Sequence, residues 1–122
     1  MQKGTPEYEE ALEAVIEILR QQARMGARPI PYGDLSRELA RRGHHVPPHE
    51  GSMPYLLEDA SVQESLGGSL PLLSALVVLK DTGWPSTGFF KLARRAPYGR
   101  QGDDVVLWTR EIEKLAEHYA AS

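Results

Sequence analysis

The chain has 122 residues, enough to bury one hydrophobic core, and this length predicts a single domain over residues 1–122. It contains no cysteine, which excludes disulfides, thiolate metal sites and cysteine nucleophiles. The net charge of −3 at pH 7 excludes a surface coated with basic residues, and the lack of both a secretory signal pattern and an apolar run of about 18 residues predicts a cytoplasmic protein with no membrane partner.

The first predicted element is a helix that begins at Thr5 and Pro6 and ends at Gly26. Threonine caps free backbone N–H groups, and proline is tolerated in the first helical turn. Apolar side chains then recur at spacings of three and four residues, as on the buried face of a helix. They are Tyr8, Leu12, Val15, Ile16, Ile18, Leu19 and Ala23.

A short extended segment and a second helix follow. Residues 28–31 contain two prolines, which predict an extended link or a small edge strand. The second helix is predicted to begin at Tyr32 and to end before Gly43, with Leu35 and Leu39 on its apolar face.

The third predicted helix begins near Ser52 or Met53, because the proline that comes next would break a helix interior but fits the first turn. It is predicted to run to about Ala60. Ser61 and Glu64 have the spacing of a capping box, which predicts one further short turn.

Residues 69–93 form the most informative segment of the chain. Six large aliphatic side chains lie between Pro71 and Leu79, which predicts a mostly buried strand. Residues 80–88 then form an exposed connection rich in glycine and proline that ends at Phe89 and Phe90. A strand and an ordered loop after three helices indicate a winged-helix domain, in which this loop is the wing.

Two more helices are predicted after the wing. Residues 89–95 predict a short helix with its aromatic side chains in the core and its basic side chains outside. Asp103 is the expected cap of the final helix, whose apolar stripe follows a regular helical spacing. The stripe consists of Val105, Trp108, Ile112, Leu115 and Tyr119. The predicted fold is therefore α+β, a three-helix core with a small sheet and wing and a C-terminal helix.

Charge is distributed unevenly along the chain. Residues 80–100 contain five basic residues and one acid, whereas residues 5–26 and 103–118 each contain five acids and two basic residues. The basic segment is therefore expected to present a local positive face on an acidic protein.

The order of helix, short extended link, helix beginning Tyr32-Gly33-Asp34-Leu35, third helix and apolar strand resembles the winged helix-turn-helix superfamily. Within it, PYGDLSREL is similar to the helix start in the DNA-binding domain of alkylguanine alkyltransferases and alkyltransferase-like proteins. The resemblance covers roughly residues 28–93. Residues 70–73, Leu-Pro-Leu-Leu, stand where that family has its active-site segment, and they include no cysteine, tryptophan, histidine or arginine. Alkyl transfer is therefore excluded, and the resemblance implies only the fold and DNA binding.

A protein of this kind is expected to place its third helix in the major groove and to hold phosphates with the wing and a neighbouring helix. The leading hypothesis is a non-catalytic protein that binds duplex DNA, as a transcriptional regulator or accessory factor. The candidate DNA-binding residues are His49, Ser52, Met53 and Tyr55 in the third helix region, and Lys80, Thr82, Ser86, Thr87, Lys91, Arg94 and Arg95 around the wing.

The alternative hypothesis is a protein-interaction module that keeps the winged-helix fold and binds a protein partner or a second copy of itself. The surface around Lys91, Arg94 and Arg95 separates the two hypotheses. A continuous positive surface there favours DNA, and a broken or acidic one favours the interaction module.

No catalytic or metal motif stands out in the sequence. His44, His45, His49 and Glu50 are close in sequence, but a loop with two prolines separates them and no HExxH motif is present. Solvated histidines are the preferred interpretation, with no metal and no cofactor. Trp84 is interpreted either as a stacking residue or as a cover over the end of the sheet. Without a nucleophile and a paired base, no enzymatic activity is predicted.

Overall fold

The elements follow the predicted order in a computed structural model of the chain, which describes residues 1–49 and 51–120. The helices of this described part are α1 Pro6–Arg24, α2 Tyr32–Arg41, α3 Met53–Glu64, α4 Thr87–Arg94 and α5 Asp104–Tyr119. A parallel sheet pairs β1, Ile30–Pro31, with β2, Val77–Val78, and a 3₁₀ turn, Leu73–Leu76, precedes β2. The predicted α+β class is thus confirmed. None of the described helices is long and apolar enough to cross a membrane.

Helix α1 lies at the centre of the packing, and the sequence explains both its start and its buried face. The Thr5 Oγ1 atom accepts a hydrogen bond from the Tyr8 backbone N–H at 3.2 Å and caps the helix as predicted. All seven residues of the predicted apolar stripe are buried. Because α1 packs against α2, α3, α5 and the 3₁₀ turn, it joins both halves of the chain in one core.

Helices α2 and α3 begin where the sequence predicts, but α3 is longer than expected. It runs four residues past Ala60 to Glu64 as a single helix, so the separate turn predicted at Ser61 is wrong. Ser61 is fully buried, and its hydroxyl donates to the Ser74 Oγ atom at 2.7 Å. A tertiary partner therefore satisfies this hydroxyl, which sequence spacing had assigned to a local cap.

The segment from Pro71 to Leu79 is buried as predicted, but most of it is not a strand. Only Val77 and Val78 pair with β1, and the preceding four residues form the 3₁₀ turn. The two prolines of residues 28–31 lack backbone N–H donors, so β1 cannot support a longer ladder.

The expected wing is a compact turn without a partner strand in the described part of the chain. The Leu79 N–H donates to the Trp84 carbonyl oxygen at 2.8 Å, and the Gly83 N–H donates to the Leu79 carbonyl oxygen at 2.8 Å. These two hydrogen bonds hold the turn against the end of β2. The turn exposes Lys80 and Thr82 to solvent.

Helix α5 starts at the predicted Asp103 cap, whose carboxylate accepts from the Val106 N–H at 2.9 Å. Its buried face differs from the predicted stripe, since Val105 is 55% exposed and Trp108 and Ile112 are half-buried. The fully covered positions are Leu107, Glu111, Leu115 and Tyr119. A pattern of apolar residues alone could not place an acid at the centre of this face.

Candidate functional site

A cleft of about 260 Å³ opens between the start of α2, helices α3 and α4, and the turn after β2. We name it the tyrosine cleft and define it by six of its lining residues: Tyr32, His49, Tyr55, Glu58, Ser86 and Phe89. Proline and leucine side chains complete its walls. A concave, mostly apolar site with a few polar groups is the usual form of a ligand-binding site.

Tyr32 and Ser86 bring two hydroxyl groups together in this cleft. The Tyr32 hydroxyl lies 3.0 Å from the Ser86 Oγ atom, and this hydrogen bond joins the start of α2 to the start of α4. Burial raises the pKa of Tyr32, although its hydrogen bond to Ser86 acts in the opposite direction. The phenol is therefore neutral at pH 7, which suits this pair to hydrogen bonding rather than to proton abstraction.

Aromatic rings form much of the cleft wall. The rings of Tyr32 and His49 are 5.1 Å apart between centroids and inclined at 43°. Tyr55 is 58% exposed and lines both this cleft and a second depression next to Ser52. Phe89 is buried at the base of α4. These rings offer flat, polarisable faces to a bound group.

Met53 and Ser52, at the start of α3, were predicted to contact DNA, but both make contacts within the protein. Met53 is fully buried, so its side chain belongs to the core and cannot contact a surface ligand, which corrects the sequence-based assignment. The first residue of α3 faces inward, whereas Tyr55 faces solvent. The Ser52 hydroxyl donates to the Met1 carbonyl oxygen at 3.0 Å and holds the N-terminal segment near the start of α3.

Helix α4 carries the basic candidates around a shallow depression lined by Thr87, Lys91, Arg94 and Arg95. The Arg94 Nη2 atom is 2.7 Å from the Asp104 Oδ1 atom, and the guanidinium lies 5.7 Å above the Phe90 ring. It also donates to a backbone carbonyl of the loop before α5. Two interactions outside α4 therefore orient this guanidinium.

Arg95 is also paired, because its Nη2 atom lies 3.3 Å from the Glu58 Oε1 atom on α3. Lys80 and Lys91 take part in none of the ion pairs formed within residues 1–49 and 51–120. The positive surface expected from the sequence is thus interrupted by two carboxylates.

Arg100, the fifth basic residue of the segment, is an internal structural group. Its Nε atom donates to Glu111 at 3.0 Å, and its Nη atoms donate to Glu111 and to backbone carbonyls of residues 68, 70 and 98. Because all its N–H groups face protein acceptors, Arg100 adds no charge to the α4 surface.

Trp84 packs against another aromatic ring, and the described histidines form no metal-binding group. Trp84 is half-buried and its ring lies 4.8 Å from that of Trp108, so it covers the end of α5. Within the described residues no group of three or more histidine, aspartate or glutamate side chains is close enough to hold a metal ion. The fourth metal candidate, Glu50, lies outside the described residues.

The structure brings together candidate residues that are far apart in the sequence, and it adds others. His49, Tyr55 and Ser86 line one cleft, and Thr87 begins the adjoining surface of α4. The sequence predicts Tyr32 only as the first residue of the second helix. The hydroxyl group that Tyr32 carries at the start of this helix is the one sequence signal of its role in the cleft.

Comparisons with protein-family models, curated proteins and solved structures found no match to this chain.

Proposed function

We propose that this protein binds duplex DNA without catalysing a reaction on it, through the face formed by the start of α3, the turn after β2 and helix α4. In this proposal the chain acts as a winged-helix protein in which the turn at Lys80 replaces the longer hairpin of a wing. A role as a transcriptional regulator or accessory factor follows from binding without chemistry.

The observation that carries the proposal is the convergence of residues from three segments on one face. Ser86 lines the tyrosine cleft and the adjacent Thr87 lines the α4 depression, so the cleft and the basic helix adjoin. Lys91 supplies an exposed cation there, and Tyr55 projects from α3. Cations that contact phosphates beside a helix that presents side chains to the bases are the usual elements of a major-groove complex.

The proposal is tested by replacing Lys91, Arg94 and Arg95 together with alanine. Binding should weaken on duplexes of many sequences, because these groups are proposed to neutralise phosphates rather than to recognise bases. The slope of log affinity against log salt should flatten by up to about 3, since each phosphate contact contributes roughly 0.9. Fluorescence anisotropy across a salt series measures both quantities.

A matched control replaces Arg24, Arg110 and Lys114 with alanine, which removes the same charge from other surfaces. Arg110 and Lys114 line a depression on α5 that shares no residue with the tyrosine cleft. This control should retain the salt slope. Equal losses in the two triple variants would show that net charge alone governs binding, and no binding by the parent at low salt would refute the proposal.

The start of α3 is expected to determine sequence preference. Tyr55→Ala should change the ranking of duplexes in a selection experiment more than it changes the salt slope, because a base contact costs about 1–3 kcal/mol at one position. An unchanged ranking of duplexes would show that α3 does not contact bases in the major groove.

A second candidate function is a protein-interaction module, and the interrupted positive surface favours it because ion pairs neutralise Arg94 and Arg95, two of the three predicted cations at α4. Val62 and Leu66, near the C-terminal end of α3, are 42% and 68% exposed. Leu66→Asn removes an apolar side chain and suits the positive φ of 47° at this residue. Sedimentation that shows self-association in the parent but not in Leu66→Asn would support this function.

A further inference from the structure

We propose that the tyrosine cleft binds a small organic cation with a methylated ammonium head group. The cleft adjoins the phosphate contacts proposed on α4 and shares the Glu58–Arg95 ion pair with them, but its binding of a cation does not require DNA binding. The inference rests on the combination of aromatic rings and one carboxylate in the same cleft.

The cleft has the chemistry of an aromatic cage. Four of its lining residues carry aromatic rings, namely Tyr32, His49, Tyr55 and Phe89. The face of an aromatic ring carries partial negative charge and attracts a cation most strongly where water is excluded. A methylated ammonium group has a spread-out charge and an apolar surface, so it suits such walls better than a strongly hydrated cation does.

Glu58 gives the cleft a charge that matches this ligand. Its carboxylate lines the cleft, whereas no lysine or arginine does so among the described residues. The Oε1 atom of Glu58 already lies 3.3 Å from the guanidinium of Arg95, so a cation bound in the cleft would share this carboxylate with Arg95. A phosphate or carboxylate ligand would find no lysine or arginine among the described lining residues and would lie against the Glu58 carboxylate.

The volume and the hydroxyl groups of the cleft also match a small organic cation. A cavity of about 260 Å³ accommodates a head group of a few heavy atoms and a short alcohol or alkyl arm. The hydroxyl groups of Tyr32 and Ser86, 3.0 Å apart, provide a hydrogen-bonding site for that arm. The cleft is too small for a folded partner, which favours a free small molecule over a protein surface.

The test compares choline with its neutral carbon isostere 3,3-dimethyl-1-butanol in NMR titrations of the full chain. The two probes share a shape and differ in charge, and sodium chloride at equal concentration controls for ionic strength. Choline should shift the amides of Tyr32, Tyr55 and Phe89 saturably and bind at least about tenfold more tightly than the isostere, the ratio expected from cation–π and carboxylate contacts. Equal binding of the two probes, or no saturable shift, would overturn the proposal.

Variants test the carboxylate and one aromatic ring of the cleft separately. Glu58→Gln and Tyr55→Leu should each weaken choline binding about fivefold, and both positions are exposed enough that the fold should persist. Glu113→Gln, which removes a charge on α5, should bind choline as the parent does. If neither cleft variant differs from Glu113→Gln, the aromatic cage is refuted.

A short peptide with one trimethyllysine identifies the source of the head group. Affinity no greater than that of choline supports a free small molecule, and affinity at least tenfold greater would overturn that assignment in favour of a protein-borne group. Because choline binding is measured without DNA, failure of this site leaves the DNA titrations unaffected.

Discussion

At the scale of single residues, Glu111 is the least expected feature of this protein. It is 1% exposed, and its carboxylate accepts hydrogen bonds from Arg100 and, at 2.7 Å, from the Leu72 backbone N–H. The pair is acceptable in the core because every hydrogen-bonding group of both side chains has a partner. The network joins α5 to the segment that leads into the 3₁₀ turn.

Glu111→Gln should lower the free energy of unfolding by about 3 kcal/mol, because it leaves the mostly buried charge of Arg100 without its partner. Urea unfolding measures this loss. Glu113→Gln, on the exposed side of the same helix, should change stability by less than about 0.5 kcal/mol. Similar values for the two variants would show that the pair is not a structural element.

The pKa of Tyr8 determines part of the change in the free energy of unfolding at alkaline pH. Its hydroxyl donates to the Asp59 Oδ2 atom at 2.6 Å, and burial together with this carboxylate raises the pKa of Tyr8 well above 10.0. Above pH 10.0, the usual pKa of tyrosine, the unfolded chain loses the phenolic proton while the folded chain keeps it. The free energy of unfolding should therefore fall as the pH rises.

Tyr8→Phe should therefore lose less stability than the parent between pH 9 and 11 in urea unfolding. Burial also raises the pKa of Tyr32 and Tyr119, so part of the alkaline loss should remain. A variant as sensitive as the parent would exclude Tyr8 as a cause.

At the scale of elements, two ion pairs connect α4 to its neighbours, Arg95 with Glu58 on α3 and Arg94 with Asp104 at the start of α5. If α4 contacts phosphates, these carboxylates compete for the same guanidinium groups. Glu58→Gln and Asp104→Asn should each strengthen duplex binding by up to about fivefold, the equivalent of a strong exposed ion pair of about 1 kcal/mol.

Fluorescence anisotropy at low salt measures this gain, and Glu113→Gln corrects for the change in net charge. Glu58→Gln should thus strengthen DNA binding while it weakens choline binding. A gain no larger than that of Glu113→Gln would show that the carboxylates do not compete with phosphate.

The packing of α5 can be tested at Trp108. Its indole N–H donates to the Ala75 carbonyl oxygen at 2.9 Å, and its half-buried ring packs on Trp84. Trp108→Ala should lower the free energy of unfolding by about 2 kcal/mol, less than the 3–5 kcal/mol typical of a fully buried aromatic residue. Val105→Ala, at an exposed position of the same predicted stripe, should cost less than about 0.5 kcal/mol in the same urea experiment. An equal cost at both positions would contradict the observed orientation of α5.

Across the whole molecule, one continuous core links all five helices, because α1 packs against α2, α3 and α5, and α4 packs against α3. Tryptophan fluorescence reports on Trp84 and Trp108 at one end of α5, whereas far-ultraviolet circular dichroism reports on every helix. The two probes should give coincident urea transitions, because a single core unfolds cooperatively. Separate transitions would indicate two units and contradict the single domain predicted for residues 1–122.

The sequence predicts the starts of α1, α2, α3 and α5 and most of the core, whereas α4 begins at Thr87, two residues before its predicted start. Thr5, Asp103 and the prolines at helix starts act on backbone groups a few residues away, so their effect is local. The apolar spacing of α1 likewise identified its buried face, because one stripe of a helix has to be covered. The α+β class followed from the order of these elements.

The pairing of side chains that are distant in the sequence depends on the tertiary structure. Ser61 with Ser74, Arg100 with Glu111 and Arg95 with Glu58 join residues from different elements, and sequence spacing carries no information on such contacts. The short strand at Val77 likewise depended on a partner, β1, that cannot pair further. Tyr32 and Ser86, 54 residues apart, meet in a cleft for the same reason. Helix α2 packs on α1 and α4 packs on α3, and only this packing brings the two side chains into one site.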